Sequence, residues 1–201
     1  MSVLQGSFEL VKVASVVAAG SLEFNTYVSA PSTEYANGGN GANSTLSWGY
    51  TINAVTVAAC TVSKSDIAVS LQNVHVSELP ATGATAYPTA FGIDLTCESS
   101  ARPQITLTDV ATPFNQTTEL TLAPGSTASG IAIQILYNDT LVRLGPAPIY
   151  YSGSGAAITN ALDLGAMSGA IHLPFTARYK RTGDITPGTI LGRATFTFTY
   201  Q

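Results

Sequence analysis

Apolar residues recur at every second position in short runs along this chain, and clusters of Gly, Pro, Asn and Ser interrupt the runs at close intervals. Alternation with period 2 puts one face of a strand in a core and leaves the other outside it. The runs that predict strands are DIAVSL (Ile67, Val69, Leu71), AFGIDLTC (Phe91, Ile93, Leu95), QITLTDV (Ile105, Leu107), TELTLAP (Leu120, Leu122), GIAIQILYN (Ile131, Ile133, Ile135) and AIHLPFTARY (Ile171, Leu173, Phe175). A terminal run follows, in which Phe196, Phe198 and Tyr200 alternate with Thr195, Thr197 and Thr199. PATGATAYPT, APGSTASG, GPAP, SGSG and TGDITPG carry the turn signals between them. Helical periodicity is almost absent, so the pattern predicts an all-β antiparallel sandwich.

Ahead of Cys60 the texture changes. SFELVKV, GSLEFNTYVS and STLSWGYTINAV predict three more strands, the last two joined by the polar loop APSTEYANGGNGAN. Three strands can hardly bury a core of their own. Residues 1–55 are therefore expected to be the closing part of a β domain plus a linker, and residues 56–201 a separate sandwich. The terminal strand raises a second question: a strand this apolar calls for a neighbour on each side, and no sequence follows to supply one of them.

Composition narrows the function. Of 201 residues 45% are hydrophobic and only 10% charged, so the surface is covered by uncharged polar side chains, a habit of secreted β proteins. A net charge of −4 with scattered Lys and Arg gives no basic stripe, which argues against a nucleic acid partner. No apolar run has the length of a membrane helix. The two cysteines, Cys60 and Cys97, each lie in a strand-like run, which favours a cross-strand disulfide over the alternative of two buried thiols. With two distant histidines they are too few ligands for a metal site. His75 and His172 lack an acidic partner close in sequence and there is no G-x-S-x-G, so neither an enzyme nor a bound cofactor is expected. Arg178, Lys180 and Arg181 form the one basic cluster, expected to be a solvated strand end, and Pro187–Gly188 the turn that launches the last strand.

From Cys60 to Gln201 the chain resembles the pilin domain of chaperone–usher fimbriae. CTV opens the matching stretch, FGIDLTC supplies the second cysteine, ASGIAIQIL lies in the middle, and FTARYKRTGDITPGTILGRATFTFTYQ closes it. The resemblance implies an immunoglobulin-like sandwich lacking its last strand, completed by a strand from another polypeptide. That answers the question of the missing neighbour. The groove for the donated strand would be lined by Phe91, Ile93, Leu95, Ile131, Ile133, Ile135, Phe175, Phe196, Phe198 and Tyr200. By the same resemblance the partners are a periplasmic chaperone, whose basic residues hold the C-terminal Gln201, an outer-membrane usher, and an adjacent subunit. The location implied is the fimbrium on the bacterial surface, reached through the periplasm.

Upstream, AAGSLEFNTYVS, STEYANGGNGANS and LSWGYTINAVTVAACTV resemble, in order, the end of the lectin domain in a two-domain tip adhesin of the type 1 fimbrial kind. This implies a tip subunit acting in cell adhesion, its pilin domain joining adhesin to pilus. Glu34, Tyr35, Asn37, Asn40 and Asn43 would then fall where such adhesins place part of a sugar pocket, with a host glycan as partner only through lectin residues this chain does not contain. Two alternatives remain: an adaptor or shaft pilin that donates its own N-terminal strand, with SFELVKV as the candidate, and a free-standing secreted sugar-binding sandwich.

Overall fold

A computed structural model describes residues 3–12, 59–147 and 160–200. Ten strands, β1 Val3–Lys12, β2 Cys60–Val62, β3 Asp66–His75, β4 Thr85–Ala101, β5 Pro103–Asp109, β6 Ser129–Tyr137, β7 Thr140–Leu141, β8 Leu162–Asp163, β9 Met167–Thr186 and β10 Thr189–Tyr200, form two sheets. One has the order β3-β1-β10-β5-β8 and the other β2-β4-β9-β6-β7. Val3–Lys12 belongs to the same compact unit as the residues from Ala59 onward, whereas the second unit, Ala18–Val57, lies outside the described residues. The predicted strands GSLEFNTYVS and STLSWGYTINAV lie there too.

The core is the sum of the inward-facing alternations. Val69, Leu71 and Val74 of β3, Ile105 and Leu107 of β5, and Ile190, Ala194 and Phe196 of β10 come from the first sheet; Ile93, Leu95, Ile131, Ile133, Ile135, Leu173, Phe175 and Tyr179 come from the second. Ring contacts knit it: Phe91 stacks on Phe175 with centroids 5.5 Å apart, and Tyr137 meets the same ring at 5.1 Å. The threonine side of the last strand is buried as well, Thr197 beside Thr106 of β5. Cys60 and Cys97 are direct cross-strand partners of β2 and β4 and form a disulfide, as the strand contexts favoured.

Two predicted elements come out differently. TELTLAP makes no continuous strand; it touches both sheets through single bridges, Leu120 to Ile133 and Leu122 to Gly192. Conversely β9 runs through the expected TGDITPG turn as far as Thr186, so only the Pro187–Gly188 step turns. Two contacts hold that extension straight. Arg181 donates to the carbonyls of Leu79, Pro80 and Gly183 at 2.9, 3.1 and 2.8 Å. Gly130, with φ +72°, lets the backbone of Asp184 pass so close that a Cβ there would lie 2.0 Å from its carbonyl oxygen.

Asp109, at the end of β5, organises the loop that carries the bridging segment. Its buried carboxylate accepts from the backbone N–H of Ala111, Thr112 and Thr121 at 2.9, 3.3 and 2.9 Å and from the Asn115 side-chain amide at 2.9 Å. Removing such an acceptor leaves several donors without a partner. Asp109→Ala is therefore expected to lower the unfolding free energy by about 3 kcal/mol, read from the midpoint in chemical denaturation; a loss within error would mean that water replaces the carboxylate.

Candidate functional site: the strand position beside β10

The last strand has two edges, and they are built in different ways. On one side β5 pairs with Ala194–Tyr200. The start of β10 is held on that same side by the bridging segment: Ala123 N–H donates to Leu191 O at 2.7 Å, and Thr127 and Ala128 N–H to Thr189 O at 3.0 and 3.1 Å. Gly188 is needed for this close approach, since a Cβ on it would come within 2.4 Å of Thr127 Oγ1 and 2.7 Å of Ala128 N. Local connectivity fixes this edge.

On the other side lies β1. It runs parallel to β10, from Gln5 opposite Thr189 to Lys12 opposite Phe196. Its far edge pairs antiparallel with β3, with a register shift between Leu4 and Gly6. The side of β10 that the sequence left without a neighbour is thus filled by the chain's own N-terminal stretch, overlapping the predicted strand SFELVKV. Without it β3 and β10 would both present open edges above the core. A parallel ladder is slightly weaker per residue than an antiparallel one.

The predicted groove residues distribute around this position. Phe196 of β10 is fully buried, and Phe198 and Tyr200 are half-buried beyond the point where β1 stops. Phe196 and Phe198 meet edge to face with centroids 5.8 Å apart. Ile93, Leu95, Ile131, Ile133, Ile135 and Phe175 belong to the facing sheet and are buried, while Phe91 is half-buried. They belong to the general core between the two sheets. A cavity of about 830 Å³ opens along the flanks of the position, between residues 66–70 of β3 and 191–193 of β10, with Val110, Ala123 and Pro124 on its rim. Gln201 and the loop residues Glu34, Tyr35, Asn37, Asn40 and Asn43 lie outside the described residues.

Two contacts at the end of the sandwich escaped sequence reasoning because they join distant residues. Tyr200 donates its hydroxyl to the carbonyl of Cys60 at 2.8 Å, tying the last strand to the disulfide strand of the other sheet; burial raises its pKa. His172 does have an acidic partner: the β4–β9 register sets it opposite Asp94, with Nδ1 2.7 Å from Oδ1. The imidazole lies over Gly92, where a Cβ would fall 2.1 Å from its Cε1, so the glycine makes room for the pair. Both side chains are largely exposed on the outer face of the sheet. The basic cluster is engaged within the chain. Arg178 donates to Gln134, Arg181 caps carbonyls, and Lys180 pairs with Glu119, whose carboxyl is held below its ordinary range by that hydrogen bond. Among the described residues no helix is long and apolar enough to cross a membrane.

The family model described as "Fimbrial protein" matches residues 48–201. The chain belongs to the fimbrial protein family. It is 30% identical over 156 residues to the F17c-G fimbrial adhesin of Escherichia coli, an alignment that covers 76% of this chain and 44% of that protein. The chain thus spans less than half the length of the F17 adhesins it matches. It is 29% identical over 165 residues to the major fimbrial subunit SMF-1 of Stenotrophomonas maltophilia, covering 81% of this chain and 95% of that one. With the fimbrial subunit type 1 of Klebsiella pneumoniae it shares 27% over 198 residues, 95% and 99% of the two chains. Among solved structures, a chaperone–usher pilus rod superposes with a TM-score of 0.53 at 21% identity, over 84% of this chain and 100% of that one. The P pilus rod subunit PapA superposes with 0.51 at 21%, over 71% and 99%. The architecture is that of the immunoglobulin-like pilin fold, and the family places the protein in the cell-surface fimbrium by way of the periplasm.

The seating of β1 has a direct consequence for stability. A proline at Ser7, between Ser70 of β3 and Leu191 of β10 in the ladder, removes a backbone donor from a central strand. Ser7→Pro is expected to lower the thermal midpoint by roughly 5–10 °C, followed by circular dichroism. An unchanged midpoint would mean that the sheet does not depend on β1.

Proposed function

We propose that this protein is a fimbrial subunit assembled by strand addition, in which the position between β3 and β10 receives a strand from a neighbouring subunit. Fimbrial subunits are structural proteins, and its task is to link one subunit to the next rather than to catalyse a reaction. The observation that carries this reading is the place of β1. The sandwich needs one strand beside β10, and the strand found there comes from the opposite end of the chain, joined to it by no local turn. A strand that fits its own subunit's gap also fits the identical gap of another copy, which is the logic of domain exchange. During export a periplasmic chaperone would fill the position, with Gln201 anchored by its basic residues, and at the outer-membrane usher the next subunit's strand would take over. The buried side chains of the facing sheet, Ile93, Leu95, Ile131, Ile133, Ile135 and Phe175, would form the floor of the groove.

Which kind of subunit it is turns on residues 1–55. The fit of Val3–Lys12 in the groove supports an adaptor or shaft pilin that donates its own N-terminal strand, and so does the Klebsiella alignment over 95% of the chain. The similarity to the F17 adhesins supports a second reading, a tip adhesin. In that reading residues 1–55 close a lectin domain, the loop around Glu34 to Asn43 borders a sugar site, and residues 56–201 join the adhesin to the pilus.

Partial unfolding followed by slow return to native conditions at rising protein concentration separates the two. A strand-donating subunit is expected to form a ladder of oligomers by size-exclusion chromatography with light scattering, suppressed by Ser7→Pro. A tip subunit stays monomeric alone and is stabilised by a donor peptide from its neighbour. A chain that neither oligomerises nor responds to a donor peptide would end the strand-addition reading.

A further inference from the structure

Tyr179 is an unusual core residue. It ends the inward-facing series Leu173, Phe175, Ala177, Tyr179 of β9, its side chain is 0% exposed, and its hydroxyl has no hydrogen-bond partner. Burial pushes the phenol up to about 12, so the group stays a neutral O–H. A buried hydroxyl without a partner is costly, and most native ones are satisfied. The other buried unpartnered oxygens all belong to threonines, of which Thr106, Thr108 and Thr199 occupy the register of β5 and β10 that faces away from the core. Among the described residues the core-facing register carries two such groups, Thr89, which lies opposite Ala177, and Tyr179, and the phenol is the larger.

The strand connections show what lies opposite. Tyr179 pairs with Ile133 of β6; Ile133 is bridged to Leu120; and Leu122, two residues on, is bridged to Gly192 of β10. The crossing segment therefore brings the level of Tyr179 to that of Gly192. Along β10 the core-facing series reads Ile190, Gly192, Ala194, Phe196, and its two smallest members leave room for a phenol at this level. Gly192 is the register partner of Phe8 in β1, and Phe8 is that of Val69 in β3. The backbone register thus sets Tyr179 near the level of position 8 of the complementing strand, and with β1 in place the Tyr179 hydroxyl is unpaired.

We propose that Tyr179 is a selectivity residue of the strand-acceptor groove, its hydroxyl completed by a hydroxyl- or amide-bearing side chain that an incoming strand from another fimbrial subunit carries at the level of Gly192. β1, with Phe8 there, is then an imperfect occupant that a better-matched strand displaces. This inference rests on the strand-addition reading. It goes beyond it by naming the residue that discriminates among strands and the chemistry it selects.

The test is a double-mutant cycle on the full-length chain. Two peptides copying Val3–Lys12, one with Phe8→Ser and one with Phe8→Ala, are annealed with the wild-type chain and with Tyr179→Phe, and affinities are read by fluorescence anisotropy. The serine peptide is expected to bind the wild type about 3- to 10-fold more tightly than the alanine peptide, and the two are expected to bind Tyr179→Phe equally. The phenylalanine variant should itself fold at least as stably as the wild type, because it removes an unsatisfied group. The same serine-to-alanine ratio in both backgrounds overturns the inference and leaves strand addition standing. If the wild type takes up neither peptide nor a peptide of its native sequence, both readings fall.

Discussion

The structure depends on the requirement that the backbone of β10 be hydrogen-bonded on both sides. A strand in the middle of a sheet cannot leave a row of N–H and C=O groups facing a core without a large loss of free energy. One row of β10 is satisfied by β5 and by the segment around Ala123 and Ala128, close neighbours whose paths are fixed by the Asp109 carboxylate and by the absence of a side chain at Gly188. Among the described residues the other row is met by β1, from Thr189 to Phe196. The same β1 also covers the inner edge of β3, so a single strand completes two elements at once. Its insertion governs stability, and in the strand-addition reading its replacement would govern assembly.

What makes such a position exchangeable is that the rest of the sandwich is tied together without it. The disulfide joins β2 to β4, Tyr200 reaches across to Cys60, Lys180 pairs with Glu119, and the aromatic group around Phe175 packs within the second sheet. None of these contacts involves β1. A chain that loses the strand keeps most of its covalent and polar framework and exposes one apolar strip, which is the condition for capture by a partner strand instead of global unfolding. In the strand-addition reading the facing floor needs no dedicated binding residues, because it would be the core itself seen from its open side.

The sequence showed the all-β class, the disulfide and the strands beyond Cys60, because period 2 and turn residues are local signals. It also showed that the strand ending at Tyr200 needed a neighbour. It offered SFELVKV as a strand donated to a neighbour but gave no register for it beside β10, since the pairing of β1 with β10 spans almost the whole chain and SFELVKV reads equally well as part of an upstream domain. TELTLAP misled because its alternation reflects two separate docking points, Leu120 on one sheet and Leu122 on the other, rather than one ladder. The TGDITPG stretch carries strong turn residues, yet tertiary contacts from Arg181 and Gly130 keep it extended. The Asp94–His172 pair was invisible for the same reason as β1: only the register brings it together.

A strand attached to its own domain competes with any strand from outside at an effective concentration set by the connecting chain. An incoming strand therefore cannot win by abundance; it has to fit better. Three features leave room for a better fit: the parallel direction of β1, the break in its register between Leu4 and Gly6, and the unpaired hydroxyl of Tyr179 at the level of Phe8. Each is a modest deficit, and deficits of one or two hydrogen bonds correspond to about 10-fold in occupancy each. In the strand-addition reading, the imperfections that leave the isolated subunit less stable than it could be would give assembly its direction, since a partner strand that mends them would gain what β1 forgoes.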